Sequence, residues 1–236
     1  MPVSVIIAAS GSGQRMGGDV PKQFMFMGGR PVLARTLDAF NRLGIVGDIV
    51  VAAPADYVRH TWEIARQYSF EKVQAVVPGG ANRAESIFAA LKELPWGSMD
   101  ATVLIHDGVR PFVSEELIMA VADAAREHGA AIAGTPVTDT IKEVGAGGKI
   151  TSTPDRSSLW RVQTPQGFTY ELIMAAYAQG EADGVFPHVT DDSMLVERMG
   201  KPVIMVESSP GNIKITTPED MALGEILLKS ASSSRA

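Results

Sequence analysis

A chain of 236 residues with 45% hydrophobic and 20% charged residues has the composition of a packed globular protein, and its length suits one α/β core. Its net charge of −6 excludes nucleic-acid or anionic-membrane binding through bulk electrostatics. The absence of cysteine excludes disulfides, thiolate metal sites and cysteine nucleophiles.

The first residues, Met1 to Ile7, lack the basic stretch and cleavage site of a signal peptide and read as an opening strand. No apolar run reaches the ~18 residues of a membrane span, so the expected location is the cytoplasm. Short β-branched runs follow at 3–9, 48–53, 73–77, 101–106 and 130–136. They are almost continuously apolar, as strands buried on both faces are. Between them, residues 31–40, 55–68, 82–94 and 114–128 carry apolar side chains at helical spacing. Asn82 with Glu85 three positions on resembles a capping box. Ser114 followed by two glutamates opens a helix that Gly129 closes. This alternation predicts an α/β fold, a Rossmann-like, mostly parallel sheet with helices on both faces.

The rhythm changes after Pro136. Residues 139–153, turning at the glycine-rich stretch Gly145-Ala146-Gly147-Gly148, predict a β-hairpin. A further stretch spans 160–168, helices return at 169–179 and 190–199, and strands are expected at 202–207 and 212–216. The last helix opens Thr217-Pro218-Glu219-Asp220, an N-cap, a proline at the first position and acids in the first turn. Residues 230–236 are expected to fray. The whole of 1–236 reads as a single domain.

The chemistry-bearing signal comes straight after the first strand: Ala8-Ala9-Ser10-Gly11-Ser12-Gly13-Gln14-Arg15-Met16, with Pro21-Lys22-Gln23 close behind. Glycines there let backbone N–H groups approach an anion. The dinucleotide fingerprint requires a third glycine where Met16 stands, and the Walker loop a lysine where Asp19 follows Gly18. Both fail. A glycine loop with the two cations Arg15 and Lys22 remains; it fits a triphosphate, or a tight turn with solvated charges. Asp107 ends a buried strand, at the sheet edge where α/β sites lie, and can hold a magnesium ion or cap a turn. His106 reads as a packed histidine. Thr190-Asp191-Asp192 reads as a helix cap with acids at its N-terminus.

Together with Gly79-Gly80-Ala81-Asn82-Arg83, His106-Asp107-Gly108-Val109-Arg110-Pro111, Asp155-Arg156, Gln163-Thr164-Pro165-Gln166 and Asn212-Ile213-Lys214, in this order and spacing, the loop resembles the sugar-phosphate cytidylyltransferases. The match runs from the first strand to about Leu228. It is nearest the methylerythritol phosphate branch and next nearest the ribitol 5-phosphate branch. The resemblance implies transfer of the cytidylyl group of CTP to a small polyol phosphate with release of pyrophosphate, assisted by Mg²⁺ or another divalent cation. It implies Arg15, Lys22 and Lys214 as catalytic, and Ala8, Ala9, Ser10, Gly11, Gly13, Gly80, Ala81, Arg83, Ser86 and Gly108 as nucleotide contacts. Asp107, Arg110, Thr140, Arg156, Thr164 and Lys214 would bind the acceptor, with Asp107 also the metal ligand. Relatives often carry an acid where this chain has Ala81 or Asn82, so base recognition here would fall to backbone groups. Residues 137–156 would be an arm that pairs two subunits and carries Thr140 and Arg156 to the neighbour; as a bare sequence they show only a surface hairpin. A catalytically silent nucleotide-binding protein on the same fold is the remaining alternative, disfavoured because Arg15, Lys22 and Asp107 are all present.

Overall fold

The computed structural model describes residues 2–11, 20–94 and 101–233. Strand β1 (Val3–Ala8) leads to a one-turn 3-10 helix at Lys22–Phe24 and a small hairpin of β2 (Phe26–Met27) and β3 (Arg30–Pro31). Then come α1 (Val32–Asn41), β4 (Val46–Ala53), α2 (Val58–Gln67), β5 (Val73–Pro78), α3 (Arg83–Lys92), β6 (Thr102–Asp107), α4 (Glu115–His128) and β7 (Ala130–Pro136). The second half holds β8 (Glu143–Val144), β9 (Ile150–Ser152), β10 (Trp160–Thr169), α5 (Tyr170–Ala182), α6 (Ser193–Arg198), β11 (Ile204–Glu207) and α7 (Pro218–Ser233).

The main sheet has seven strands in the order β11-β7-β10-β6-β1-β4-β5. The sheet is mostly parallel, as the apolar runs lead one to expect; only β10 runs antiparallel to its neighbours. Successive side chains of a strand face opposite sides, and β1 feeds two cores. Val3, Val5 and Ile7 pack with Leu33, Leu37 and Phe40 of α1, Ile64 of α2 and Ile118 and Val121 of α4. Ile6 packs with Ile87 and Leu91 of α3, Ile173 and Tyr177 of α5, and Leu195 of α6. Each such fully buried side chain contributes about 1.5–3 kcal/mol relative to exposure. Helices thus cover both faces, and α7 closes a third, smaller cluster over Met27, Val32 and Ile215. Among the described residues no helix is long and apolar enough to cross a membrane.

The predicted caps form. Asn82 accepts from the Glu85 N–H at 2.9 Å, and Ser114 accepts from the Leu117 N–H at 3.2 Å. Gly129 takes φ +88°, a left-handed value that favours glycine. The Glu85 carboxylate reaches the Ala81 N–H at 2.8 Å, one residue earlier than a standard capping box would have it.

Several local expectations give way. The 139–153 hairpin shrinks to β8 paired with β9; its residues are exposed, and a two-stranded ribbon with no face to bury supports little pairing. Residues 212–216 form no strand. They pass beside Val109, whose carbonyl accepts from the Ile215 N–H at 2.8 Å, while Arg110 donates to the Asn212 carbonyl at 2.9 Å. The neighbouring strand β6 already has β1 and β10 as partners. The 55–68 helix splits at Tyr57, which leaves helical geometry at φ −111°, ψ 5°. Of the tail expected to fray, residues 230–233 continue α7 to Ser233, and 234–236 lie outside the described residues. The β2–β3 hairpin was not anticipated, although Gly28 and Gly29 at φ +55° and +76° are the turn signal.

Candidate active site

Register brings the site together. In the parallel pairs Ala8 lies opposite Asp107 and Ala53 opposite Pro78. The turns after β1 and β5 and the end of β6 therefore share one sheet edge. The chain goes from β1 outward to β4 and β5 and then returns to the other side of β1 with β6. The crevice between β1 and β6 is thus the point where strand order reverses, the usual ligand position in such sheets.

A cavity of about 440 Å³ opens there, lined by Ala8, Ala9, Ser10, Gly11, Lys22, Gln23, Gly80, Ala81, Asn82, Arg83, Asp107, Val109 and Lys214. The two glycine turns meet closely. A Cβ on Gly79 would stand 2.3 Å from the Ser10 Cβ, so only glycine fits. Ser10 donates to the Ser86 Oγ at 2.9 Å, and Ser86 accepts from the Gly80 N–H at 3.0 Å. Ser86, 1% exposed, is a strut joining the two turns from behind the cavity wall.

Asp107, 6% exposed, faces three cations. Its Oδ2 lies 3.0 Å from Lys214 Nζ and 3.2 Å from Arg110 Nε, and its Oδ1 3.9 Å from Arg83 Nε. Burial pushes its carboxyl up, but Lys214, Arg83 and Arg110 outweigh this and hold it well below the usual carboxylate range. A second cavity, of about 250 Å³, lies alongside; Arg83, Asp107 and Lys214 line both, and Arg110, Gln163, Thr164, Thr190 and Asp191 line this one.

Behind Asp107 the chain is pinned by a short relay. The Asp107 N–H donates to Thr164 Oγ1 at 3.0 Å. Thr164 Oγ1 meets His106 Nδ1 at 3.0 Å, and His106 Nε2 meets the Arg110 carbonyl at 3.0 Å. Complete burial lowers the His106 pKa to about 4, so the ring is neutral at pH 7. A carbonyl only accepts, so the single ring proton sits on Nε2 and Nδ1 accepts from Thr164. His106 is the packed residue the sequence suggests.

Two adjoining cavities with three shared charged residues suit a reaction between two phosphate-bearing molecules. The family model for IspD, 2-C-methyl-D-erythritol 4-phosphate cytidylyltransferase, matches residues 3–230. The chain belongs to that family. It is 44% identical over 97% of its length to the enzyme of that name from Geobacter metallireducens, 98% of which is covered. Among solved structures, 4-diphosphocytidyl-2C-methyl-D-erythritol synthase of Anaerococcus prevotii is 35% identical with a TM-score of 0.83, covering 97% of this chain and 98% of that one. The Thermus thermophilus 2-C-methyl-D-erythritol 4-phosphate cytidylyltransferase is 34% identical with a TM-score of 0.79, covering 97% of this chain and all of that one.

Of the residues singled out in the sequence, Ala8, Ala9, Ser10, Gly11, Lys22, Gly80, Ala81, Arg83, Asp107 and Lys214 line the larger cavity. Arg110 and Thr164 line the smaller. Ser86 and Gly108 back the walls; the Gly108 N–H bonds the Ala8 carbonyl at 2.8 Å. Thr140 and Arg156 are exposed on the hairpin region, where Arg156 donates to the Thr138 carbonyl at 2.8 Å. Gly13 and Arg15 lie outside the described residues.

Sequence reading took Asp192 for a helix-capping acid and missed its pairing. It is fully buried and forms a two-pronged pair with Arg83, both contacts 2.7 Å, and accepts from the Tyr177 hydroxyl. Gln166 braces the same turn, accepting from the Asp192 and Ser193 N–H groups at 3.0 and 3.1 Å. Only Asp191 behaves as the expected cap, accepting from the Met194 N–H at 3.2 Å. Nothing local distinguishes Asp192 from Asp191, and Arg83 is 109 positions away in the chain.

Proposed function

We propose that this chain transfers the cytidylyl group of CTP to 2-C-methyl-D-erythritol 4-phosphate, giving 4-diphosphocytidyl-2-C-methyl-D-erythritol and pyrophosphate, in non-mevalonate isoprenoid precursor synthesis. The observation that carries it is the pair of adjoining cavities that share Arg83, Asp107 and Lys214. In this reading the larger takes the nucleotide, its phosphates on the glycine loop beside Lys22, with Arg15, outside the described residues, a second cation for them on the family resemblance alone. The smaller takes the acceptor, its phosphate on Arg110 and Lys214 with Thr164 at the wall.

The acceptor phosphate is already ionised at neutral pH and needs no strong base. One of its oxygens attacks the α-phosphorus of CTP in line; the bond to the bridging oxygen breaks and pyrophosphate leaves. What this chain supplies is position and positive charge around an anionic transition state. Asp107, ionised and facing Arg83, Arg110 and Lys214, keeps those cations gathered, so a net-negative protein can hold two anionic substrates. Among the described residues no group of three or more His, Asp or Glu side chains could hold a metal, and Asp107 is the one carboxylate among the described residues of the larger cavity's wall. That donor set fits Mg²⁺ held chiefly by nucleotide phosphates, since the ion takes one or two protein carboxylates beside its phosphate ligands. When bound, the cation neutralises charge on phosphate oxygens.

Pyrophosphate release should be measured with CTP, UTP, ATP and GTP, each against methylerythritol phosphate and ribitol 5-phosphate. CTP is expected to exceed the others by at least ~100-fold in kcat/KM, because a site that hydrogen-bonds a base edge leaves buried groups unpaired with the wrong base. Equal turnover of UTP would overturn the cytidylyl assignment, and faster use of ribitol 5-phosphate would move the acceptor to the sister activity.

A homodimer through the arm at about 137–156, with a single nucleotidyltransferase domain per chain, completes this reading. Its support is the exposure of apolar side chains on and beside the hairpin: Ile141 39%, Val144 59%, Ile150 56% and Val162 42%. Thr140 and Arg156 would then serve the acceptor cavity of a partner subunit. Mixing inactive Arg156→Ala and Lys22→Ala proteins should restore activity. Free exchange makes about half the dimers mixed, and each mixed dimer has one intact site, so about a quarter of all sites recover under two-fold symmetry. No recovery after exchange, confirmed with a tagged subunit, would place Arg156 in its own chain's site or outside any site.

A further inference from the structure

We infer that Gln23 is a positioning residue for the transfer, a carboxamide clasp that draws two carbonyl oxygens of the phosphate loop onto itself and ties that loop to Lys22. Gln23 is 1% exposed and stands in the single 3-10 turn Lys22–Phe24. On one side of it Lys22 lines the larger cavity. On the other Phe24 enters the main core, stacked on Tyr57 with ring centres 4.7 Å apart and planes 11° from parallel. Between these, Gln23 Nε2 donates to the Ala9 carbonyl at 2.6 Å and to the Gly11 carbonyl at 3.0 Å. A primary carboxamide has two N–H donors, and both are engaged on loop carbonyls two residues apart.

Two consequences follow. Carbonyl oxygens carry partial negative charge and repel a polyphosphate; bonded to Gln23, two of them are held and partly neutralised. In a planar trans peptide the C=O and the following N–H point in opposite directions. Drawing the Ala9 carbonyl to Gln23 therefore turns the Ser10 N–H away from the carboxamide, leaving it as an anion donor of the kind such loops use. The clasp also spans the gap between the loop that takes the phosphates and the residue after Lys22. A displacement of the lysine by about 1 Å relative to the loop is enough to cost ~100-fold in rate. No other proteinogenic side chain of similar length offers two donors on one uncharged nitrogen, so neither glutamate nor methionine reproduces it.

The inference rests on the reading of this loop as the nucleotide's phosphate site. Turnover of CTP by the unaltered enzyme tests that reading; the variants, always taken relative to it, test the clasp. Gln23→Met keeps the volume and removes both donors. It is expected to lower kcat/KM for CTP by ~10–100-fold, the scale of leaving buried acceptors unpaired, while the KM for the acceptor changes less than about twofold, since that cavity's walls are made by other residues. Gln23→Glu at pH 8 sets a carboxylate against two carbonyls and should lose more. Its burial raises the carboxyl pKa, and the protonated form donates one O–H. Its activity relative to the unaltered enzyme should therefore rise as the pH is lowered from 8 to 6, whereas the Gln23→Met ratio stays flat. A residue that only stabilised the fold would lower the melting temperature and the active fraction, and would leave the CTP parameters and the pH profile of the folded enzyme as they were; that result overturns the inference. Should Gln23→Glu fail to fold, the kcat and KM values of folded Gln23→Met decide alone.

Discussion

Replacing Lys22 by alanine is expected to lower kcat by at least ~100-fold, the scale for removing one electrostatic stabiliser of an anionic transition state, with much less effect on nucleotide affinity. Lys22 lines the larger cavity beside Ala9, Ser10 and Gly11, on a turn whose other two residues are buried. The turn cannot swing without pulling Phe24 from the core and Gln23 from the loop, so the lysine reaches into the cavity from a fixed base, and on the proposed reading it meets the phosphates there. A ground-state phosphate contact is shared with backbone donors, but charge that develops on the reacting phosphoryl group is met chiefly by the nearby cations. Steady-state kinetics and CTP titration of the folded variant check this together. Near-normal turnover would make Lys22 a surface charge and remove the central element of the mechanism.

The largest expected effect on stability is at Asp192. Asp192→Ala removes a fully buried carboxylate from its two-pronged pair with Arg83 and from the Tyr177 hydroxyl. Breaking a buried pair from one side costs ~3–5 kcal/mol. Because the Arg83 side chain is 26% exposed and can recover some hydration, the low end, about 3 kcal/mol, is expected from urea or guanidinium unfolding. Activity should fall as well, since Arg83 lines both cavities and faces Asp107. The double variant Arg83→Ala/Asp192→Ala should be less destabilised than the sum of the singles, because the orphaned charge is gone. Additive losses, or a single-variant loss below about 1 kcal/mol, would show that the pair does not hold this part of the site.

The order of elements was legible in the chain because its signals are local. β-branched runs, helical spacing, Asn82 and Ser114 as caps, and Gly129 as a stop each act within a few residues, and the sheet strands and longer helices follow them. The glycine turns after β1 and β5 and the acid ending β6 were legible for the same reason, and parallel register then carries them to one edge. Local signals failed where pairing depends on what else is nearby. The arm hairpin is shorter than its pattern because no core lies beneath it. Residues 212–216 have the alternation of a strand but no free neighbour in the sheet.

Composition and motif order by themselves determined the α/β class and pointed to the glycine loop and to the charged residues Lys22, Asp107, Arg110 and Lys214 that line the two cavities, since backbone propensity and the preference of cations for phosphate are written in short stretches. Only the tertiary structure decided that Asp107 gathers three cations, that Ser86 stands behind the wall, that Asp192 holds Arg83, and that Gln23 clasps the loop. Each of these is a contact between a side chain and a group brought to it by folding, 12 to 109 positions away for the Gln23 and Asp192 contacts. Sequence spacing carries no information on such a contact until the sheet has set the distance.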